Sequence, residues 1–397
     1  MLSNDTFQLD RRIIHQAETL AKNNFEVFII IFKSGLPLPN NISEGVYIIE
    51  SDDYIDFKPS LIHRLKGWLA GFRLVVQFYQ FISSFSQLNF LKLSNSQLNQ
   101  IPKEVDYVVA HDLPTLPEAY ALKYKLKAKQ LIFDAHEFYE GQLDTIFSKR
   151  LVNAWSQVSK KYIPKVDRCI SVTQSIADEI NHVANCDKDF LILPNAHPYI
   201  PESEFGLSKS IHEIYKLDVS RKIILCCGGV TRGRHLEDFI YAAQYMDESY
   251  AVCFLGFADS EYLKELKSVI RRLGLESMVF IGQSVAPDEV VTVCNSADLG
   301  VISNRGDGSN NLDGCPNRLY EYIQARVPIF SYRHKGVSDL VKKTSTGYVC
   351  DWKHPKDLAN KLQSASLKKY SSSDLEQAAK VNSWEFYEES YLALYSK

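Results

Sequence analysis

Hydrophobic and polar positions along the chain follow two alternating patterns. Short apolar runs of strand length recur in the first 200 residues, at 25–32, 46–50, 105–110, 130–133, 168–172 and 190–193. Segments with apolar residues at helical spacing lie between them, for example at 11–22, 117–127 and 174–183. Nearly continuous apolar strands that alternate with helices are typical of a parallel sheet covered on both faces. The pattern therefore predicts an α/β fold.

The same alternation starts again after residue 200. Strand-length runs occur at 222–227, 251–255, 278–281, 299–302, 329–332 and 347–350. Helical patterns occur at 235–245, 261–273, 287–295, 316–325, 337–342 and 356–364. A segment at 195–217 with Pro198, Pro201 and Gly206 separates the two halves and has the composition of a linker. We expect two α/β domains of similar size, each with a doubly wound parallel sheet.

The first half begins with a helical pattern, whereas a doubly wound domain normally begins with a central strand. Only about nine residues precede Arg11, which is too few for a buried strand and its turn. We therefore expect either that this domain lacks its first strand or that Met1 is not the full-length start.

Composition and charge narrow the class of protein. The chain has 397 residues, 45% hydrophobic residues and a formal net charge of -3, which fits a folded protein of two or three domains and argues against nucleic-acid binding. Its eight cysteines form no C-x-x-C pair and no Cys/His group at zinc spacing, so we expect reduced, buried thiols in the cytoplasm. No signal peptide is evident, and the uncharged stretch 74–91 holds seven Gln, Ser or Asn residues, too many for a membrane span.

The most informative local pattern lies between residues 306 and 322. A loop rich in Gly and Asn follows the strand 299–302 and leads into a helix at Pro316, whose first N–H groups form a ready anion site. Asp313 and Glu321 are eight positions apart, or about two helical turns, so both can border one ligand. Each carboxylate alone has a simpler interpretation, Asp313 as a helix cap and Glu321 as a solvated residue. Together they favour a nucleotide site in which a carboxylate accepts two ribose hydroxyls.

Two His-acidic pairs follow strands of the first half. His111 and Asp112 come directly after the strand 105–110, and His136 and Glu137 follow 130–133. Ligands of open parallel sheets bind at the carboxyl ends of the strands, so these side chains are candidate site residues. A single histidine is more often structural, but two such pairs at strand ends favour a site.

With these motifs the chain resembles the retaining glycosyltransferases of the GT-B fold, in the large group of family GT4 with an acidic-x7-Glu motif. Asp313 and Glu321 match that motif, and Pro316–Tyr322 is similar to the family's P-N-K-L-x-E-Y variant. Residues 223–234 are similar to the strand and turn that bring a basic pair to the donor diphosphate. Arg234 falls at the lysine position of that pair, the usual arginine falls near Gly229, and Arg232 is an alternative for the arginine's role.

The resemblance implies an architecture as well. We expect a GT-B fold, which consists of two Rossmann-like doubly wound parallel-sheet domains facing each other across a cleft. The acceptor-side domain would span 1–198 and the nucleotide-sugar-binding domain 199–375. Ser383-Trp384-Glu385 resembles the start of the family's final helix, so 376–397 is expected to cross back onto the first domain.

The resemblance also implies roles for individual residues. His136 matches a D-x-H-E motif of related transferases, in which a histidine approaches the reacting sugar or phosphate. The implied catalytic residues are His136, Asp313 and Arg234. The implied donor-binding residues are Glu321, Gly229, Arg232, Arg234, Gly314, Cys315, Asn317 and Arg318. The implied acceptor-side residues are His111, Asp112 and Glu137.

The implied activity is transfer of a sugar, with retention, from a nucleotide-diphosphate sugar to a glycan or lipid-linked acceptor, in polysaccharide or glycoconjugate biosynthesis. Arginines and a helix N-terminus can stabilise the leaving diphosphate without a metal, so we expect no metal and no cofactor. Two alternatives stay open: a nucleotide-sugar epimerase of the same fold, and a non-catalytic protein that binds sugar nucleotides.

A cationic segment suggests where an acceptor could be met. Residues 58–103 contain six basic and no acidic residues, with apolar positions at helical spacing. Such a segment can lie on an anionic membrane surface, with Arg64, Lys66, Trp68 and Arg73 as candidate contacts. A core-facing helix with a solvated basic face explains the pattern equally well. We therefore expect a cytoplasmic protein that is either free or peripheral on the inner face of the membrane.

Overall fold

The computed structural model describes residues 1–3, 11–32, 42–51, 93–141, 148–303 and 314–396. These residues pack into two compact units. The first contains the described residues up to Pro194 together with 388–396, and the second contains the described residues from 195 to 387.

The first unit is built on parallel strands. They are β1 (Val27–Phe32), β2 (Val46–Ser51), β3 (Tyr107–His111), β4 (Gln130–Ala135), β5 (Arg168–Ser171) and β6 (Phe190–Ile192). Strands β3 to β6 pair in sequence order, and β1 pairs with β2. Leu2 forms parallel bridges to Ile30 in β1 and to Ala110 in β3. The resulting order is β2-β1-Leu2-β3-β4-β5-β6, as in a doubly wound sheet.

The structure of residues 1–3 differs from the expectation that this unit lacks its first strand. The place of the central first strand is not vacant, because the Leu2 N–H donates to the Val109 carbonyl at 2.8 Å and the His111 N–H donates to the Leu2 carbonyl at 2.9 Å. The Ser3 N–H similarly donates to the carbonyl of Ile30 at 2.9 Å. Three residues are too few to show a strand-length apolar pattern, which is why the sequence suggested that the strand was absent.

Helices of the first unit cover the sheet. They are α1 (Arg11–Lys22), α2 (Asn95–Leu98), α3 (Leu116–Lys125), α4 (Ser148–Tyr162) and α5 (Gln174–Ala184). Helix α1 buries Ile13, Ala17 and Leu20 at helical spacing. The final residues also pack here: Tyr391 is fully buried, and the Tyr107 hydroxyl donates to the Tyr395 carbonyl at 2.8 Å.

The second unit contains one parallel sheet of six strands. They are β7 (Lys222–Cys227), β8 (Tyr250–Leu255), β9 (Val279–Gln283), β10 (Leu299–Ile302), β11 (Ile329–Ser331) and β12 (Gly347–Val349). Their order is β12-β11-β10-β7-β8-β9. The order reverses between β7 and β10, and in doubly wound sheets ligands bind at the carboxyl ends of the strands at such a point.

Helices precede, separate and follow these strands, and the last of them continues into the residues of the first unit. They are α6 (Ile211–Tyr215), α7 (Leu236–Ala243), α8 (Ser260–Leu273), α9 (Val290–Cys294), α10 (Asn317–Gln324), α11 (Lys335–Thr344), α12 (Pro355–Leu367), α13 (Ser372–Val381) and α14 (Trp384–Leu392). Helix α8 shows how sequence sets the bounds. The Asp259 side chain accepts the Tyr262 N–H at its start, and Gly274 ends it in the left-handed region with φ 67°.

Most predicted elements are present with shifts of one or two residues at their ends. The pattern at 287–295 is an exception, because only Val290–Cys294 is helical there. In the ranges that the structure describes, no helix has both the length and the apolar character needed to cross a membrane.

Candidate functional site

The turn after β7 is shaped by glycines. Gly228 has φ 102° and Gly256, after β8, has φ 147°, values that side chains rarely tolerate. A Cβ atom on Gly256 would lie 2.3 Å from the Gly228 carbonyl oxygen. The ends of β7 and β8 can therefore approach each other only with glycine at this position. As a result, the Gly228–Gly229 turn lies at the carboxyl edge of the sheet.

Two arginines lie against this turn. A Cβ atom on Gly228 would be 3.1 Å from Nη1 of Arg234 and 3.9 Å from Cζ of Arg318. A Cβ atom on Gly229 would lie 3.8 Å from Cζ of Arg234. We call Arg234, Arg318 and the Gly228–Gly229 turn the arginine cluster. It joins residues from the loop after β7 and from helix α10.

The arginine cluster concentrates positive charge with little compensation. Arg318 is 5% exposed, and its Nη1 donates to Ser303 Oγ at 3.5 Å. Across the residues that the structure describes, neither arginine forms an ion pair with a carboxylate. Burial, and then the nearby charge of Arg318, lower the pKa of Arg234 to about 9, although Cys227 and Glu321 act in the opposite direction. Arg318 is buried and Arg234 is half-buried, and two like charges so placed are unfavourable on their own, so the cluster is suited to an anion.

Helix α10 is fixed to the sheet by Tyr322. This side chain is fully buried, and its hydroxyl accepts the Cys227 N–H at 2.8 Å and donates to the Leu225 carbonyl at 2.9 Å. A Cβ atom on Gly300 would lie 2.6 Å from the Tyr322 ring, so glycine in β10 makes room for it. Tyr322 therefore holds α10, which carries Arg318 and the half-buried Glu321, beside the end of β7.

The other residues predicted for donor binding have different environments. Arg232 has a side chain 60% exposed, pairs with Glu265 and lies 5.2 Å above the Tyr262 ring. The cation beside Arg234 is thus Arg318 rather than Arg232. Gly314 is half-buried, Cys315 is buried and Asn317 is exposed at the start of α10. Asp313 lies outside the described residues.

The first unit brings together a buried carboxylate and two imidazoles. The Asp134 Oδ2 atom is 3.3 Å from His111 Nδ1 and 3.4 Å from His136 Nε2. The two ring nitrogens are 3.2 Å apart. We call Asp134, His111 and His136 the histidine cluster. It forms because β3 and β4 are neighbours whose carboxyl ends carry these residues in register, with His111 opposite Asp134.

Helix α1 supplies the other partners of Asp134. Arg12 pairs with its Oδ1 atom, and Gln16 donates to Oδ2 at 2.7 Å. Burial alone would raise the pKa of Asp134. The nearby charges of Arg12 and then of His136 nevertheless hold this pKa well below its ordinary value. Burial lowers the pKa of His111 to about 4 against the opposing effect of Asp134. The cluster therefore holds an ionised carboxylate and a neutral His111 at neutral pH.

The histidine cluster also offers one ligand atom from each of its three side chains within 4.8 Å, which is compatible with a divalent cation. Both oxygens of Asp134 are already engaged by Arg12 and Gln16. The guanidinium charge would repel a cation bound to the same carboxylate. The three side chains therefore fit a role in positioning an imidazole better than a role in binding a metal ion.

Asp112 occupies an unusual backbone position. Its φ and ψ are 65° and 163°, a combination almost restricted to glycine that costs about 1–3 kcal/mol for other residues. Its Oδ1 atom accepts the N–H groups of His136 at 2.8 Å and Glu137 at 3.2 Å. Burial raises the pKa of Asp112, although His136 opposes that shift. The Glu137 residue itself is exposed.

Several residues that build these clusters were not predicted as site residues, among them Asp134, Gly228, Arg12, Gln16, Tyr322 and Gly300. A glycine inside an apolar strand is a signal of close approach, and it could have indicated Gly300. The buried faces of α1 gave no such signal, because Arg12 and Gln16 look like ordinary polar helix positions. The membrane-contact candidates Arg64, Lys66, Trp68 and Arg73 lie outside the described residues.

Comparison with known proteins agrees with this architecture. The structure is similar to sucrose-phosphate synthase from Thermosynechococcus elongatus, with a TM-score of 0.69 and 13% identity over 97% of this chain and 92% of that one. It is also similar to Anabaena HepE in complex with UDP and glucose, with a TM-score of 0.64 and 13% identity over 99% and 97%. A glycosyltransferase from Rickettsia africae gives a TM-score of 0.65 and 12% identity over 100% and 96%. A search of curated protein sequences found no match.

The fold and the arginine cluster define the class, a two-unit α/β protein of the GT-B fold. Residues 208–382 match the family model described as glycosyl transferases group 1, and this range contains every residue of the arginine cluster. The match covers 175 of the 397 residues, so it relates the second unit to group 1 glycosyl transferases.

Proposed function

We propose that this protein transfers a sugar, with retention of anomeric configuration, from a nucleoside-diphosphate sugar to a glycan or lipid-linked acceptor in polysaccharide or glycoconjugate biosynthesis. The observation that carries the proposal is the arginine cluster. Arg234 and Arg318 lie together at the reversal point of the second sheet, with no carboxylate paired to them in the ranges that the structure describes. A diphosphate supplies the negative charge that such a pair requires.

The diphosphate would be both a binding group and a leaving group. Its charge grows as the bond to the sugar breaks, and preorganised donors that face this charge lower the barrier. Arg234, Arg318 and the N–H groups at the start of α10 are such donors, because Tyr322 and the glycine turn hold them in place before substrate arrives. The proposed reaction therefore requires no metal ion at the diphosphate.

Glu321 would select the nucleotide. It lies one helical turn beyond Arg318 on α10 and contributes negative charge at Arg234. A carboxylate in this position can accept hydrogen bonds from two ribose hydroxyls while the arginines hold the diphosphate. UDP, which the Anabaena HepE structure contains, is the first nucleotide to test. Gly229, Gly314, Cys315 and Asn317 would contribute backbone contacts to the same ligand.

His136 would contact the transferred sugar, in keeping with the resemblance of its D-x-H-E motif. The histidine cluster supports this role, because Asp134 orients the imidazole through Nε2 and is itself held ionised by Arg12. His111 is 1% exposed, so it would act on substrate only through His136. Asp313 is proposed as a catalytic carboxylate from the motif alone.

A direct experiment tests donor binding and reaction together. We expect UDP and UDP-glucose to raise the melting temperature of the full chain, because a ligand that binds only the folded state stabilises it. NMR analysis of products made from UDP-sugars and a panel of glycan and lipid-linked acceptors should show the anomeric configuration of the donor retained. A protein that binds UDP but interconverts free sugar nucleotides without acceptor would instead be an epimerase. Absence of any nucleotide-dependent shift would contradict the proposal.

A further inference from the structure

Asp112 combines three features that a simple turn residue does not require. It is not glycine, although its φ of 65° and ψ of 163° lie in a region that glycine favours. It stands directly before the short 3-10 helix Leu113–Thr115, yet its side chain makes no capping hydrogen bond to that helix. Its carboxylate instead reaches the N–H groups of His136 and Glu137, 24 and 25 residues further along the chain.

Hydrogen bonds hold the backbone of Asp112 at both its N–H and its carbonyl group. Its N–H donates to the Asp134 carbonyl at 2.9 Å, and its carbonyl accepts from Thr115 N–H at 3.3 Å and Thr115 Oγ1 at 3.0 Å. Thr115 Oγ1 also lies 2.9 Å from the His111 carbonyl. These contacts keep the strained conformation in place, which is how such conformations persist in folded proteins.

We propose that Asp112 is a positioning residue whose carboxylate fixes the backbone of His136 and Glu137 to the end of β3. The strained conformation is what directs the carboxylate from β3 toward the loop after β4. Without that contact the His136 backbone loses this link to β3, although its imidazole still contacts Asp134 and His111. The consequence for sugar transfer rests on the proposed function, in which His136 contacts the sugar.

Substitution of Asp112 by glycine or by asparagine distinguishes the effect of the backbone strain from the effect of the carboxylate contact. Asp112→Gly removes the acceptor while suiting the positive φ, so the fold is retained. Asp112→Asn keeps an oxygen acceptor at Oδ1 on a side chain of the same size, so it leaves the backbone strain in place. Asn185→Gly is a matched control, because Asn185 is an exposed residue of the same unit with φ 52°, at the end of α5.

The experiment measures amide hydrogen exchange at residues 136–137, UDP affinity, and UDP release from UDP-glucose, all on the full chain. For Asp112→Gly we expect exchange at these two amides to accelerate at least tenfold and UDP release to fall at least tenfold, with the UDP dissociation constant changed less than twofold. Asp112→Asn should stay within threefold of wild type on each measure, and Asn185→Gly should match wild type. Exchange at the amides of β5, which lies in the same unit, reports whether each variant is folded.

Unchanged exchange at residues 136–137 in folded Asp112→Gly would overturn the proposal, as would unchanged UDP release despite accelerated exchange. Failure of the proposed function has a different signature, namely a wild-type protein that neither binds UDP nor releases it from UDP-glucose. In that case the exchange measurement still decides whether Asp112 holds the His136 backbone.

Discussion

Arg318 is a buried cation beside a second cation, and its replacement should change stability and binding in opposite directions. In Arg318→Met an apolar chain of similar length takes the place of a guanidinium that is 5% exposed and has no carboxylate partner in the described ranges. The variant removes the repulsion that contributes to the lowered pKa of Arg234. Exchange of a poorly compensated buried charge for an apolar side chain is commonly neutral or stabilising by about 1–4 kcal/mol.

The same substitution should weaken diphosphate binding. A hydrogen bond to a charged group is worth about 1.5–3 kcal/mol, so loss of the Arg318 contact predicts a UDP dissociation constant that is about 10- to 150-fold higher. We therefore expect unliganded Arg318→Met to melt at or above the wild-type temperature and to lose most of the stabilisation that UDP gives wild type. Calorimetric titration with UDP and thermal melts with and without UDP measure the two effects.

Arg232→Met is the matched control for this prediction. Arg232 lies in the loop after β7, near the arginine cluster in sequence, but it is exposed and pairs with Glu265, so its loss should leave the UDP dissociation constant within about twofold of wild type. An unchanged UDP affinity in Arg318→Met, or a larger loss in Arg232→Met, would refute the assignment of the arginine cluster to the diphosphate.

Three further predictions concern the remaining groups. Glu321→Ala should weaken UDP at least tenfold with the melting temperature retained, whereas inorganic diphosphate should bind as in wild type; equal UDP affinity would exclude the ribose role. The pKa of His111 falls from 6.5 to about 4 in the fold, so the unfolded chain binds the extra proton first and stability should decrease by about 3 kcal/mol as pH falls from 6.5 to 4. Denaturant unfolding at several pH values should show a smaller decrease in His111→Gln, and an identical pH dependence would contradict this account. Sedimentation with anionic vesicles should show weak binding that salt reduces, and binding that is insensitive to both lipid charge and salt would disprove a membrane role for residues 58–103.

Local elements of this protein could be predicted well from sequence. The strands Lys222–Cys227 and Leu299–Ile302 and the helix Arg11–Lys22 begin and end where their apolar patterns do. A buried strand and an amphipathic helix impose different apolar spacings on their own few residues, so the sequence carries this information directly. Residues 1–3 show the limit, because a bridge of three residues has no periodicity to recognise.

The composition of the clusters could be predicted only in part. Arg234, Arg318, Glu321, His111 and His136 were identified by their motifs or by their position after strands. The sequence could not show that Arg318 rather than Arg232 lies beside Arg234, because this depends on where α10 meets the end of β7. The role of Arg12 was also hidden, since its partner Asp134 is 122 residues away.

The sequence by itself thus determined the α/β class, the positions of most strands and helices, and the residue types available for anion and sugar chemistry. Tertiary structure alone decided which charges became neighbours. Burial beside Arg318 lowers the pKa of Arg234, and α1 supplies the cation that keeps Asp134 ionised beside two imidazoles. The physical reason is that periodicity is set by each segment's own backbone geometry, whereas charge environments depend on which strand ends meet at one sheet edge. The strained backbone of Asp112 belongs to the same category, because contacts with the distant residues Asp134 and His136 help to hold it in place.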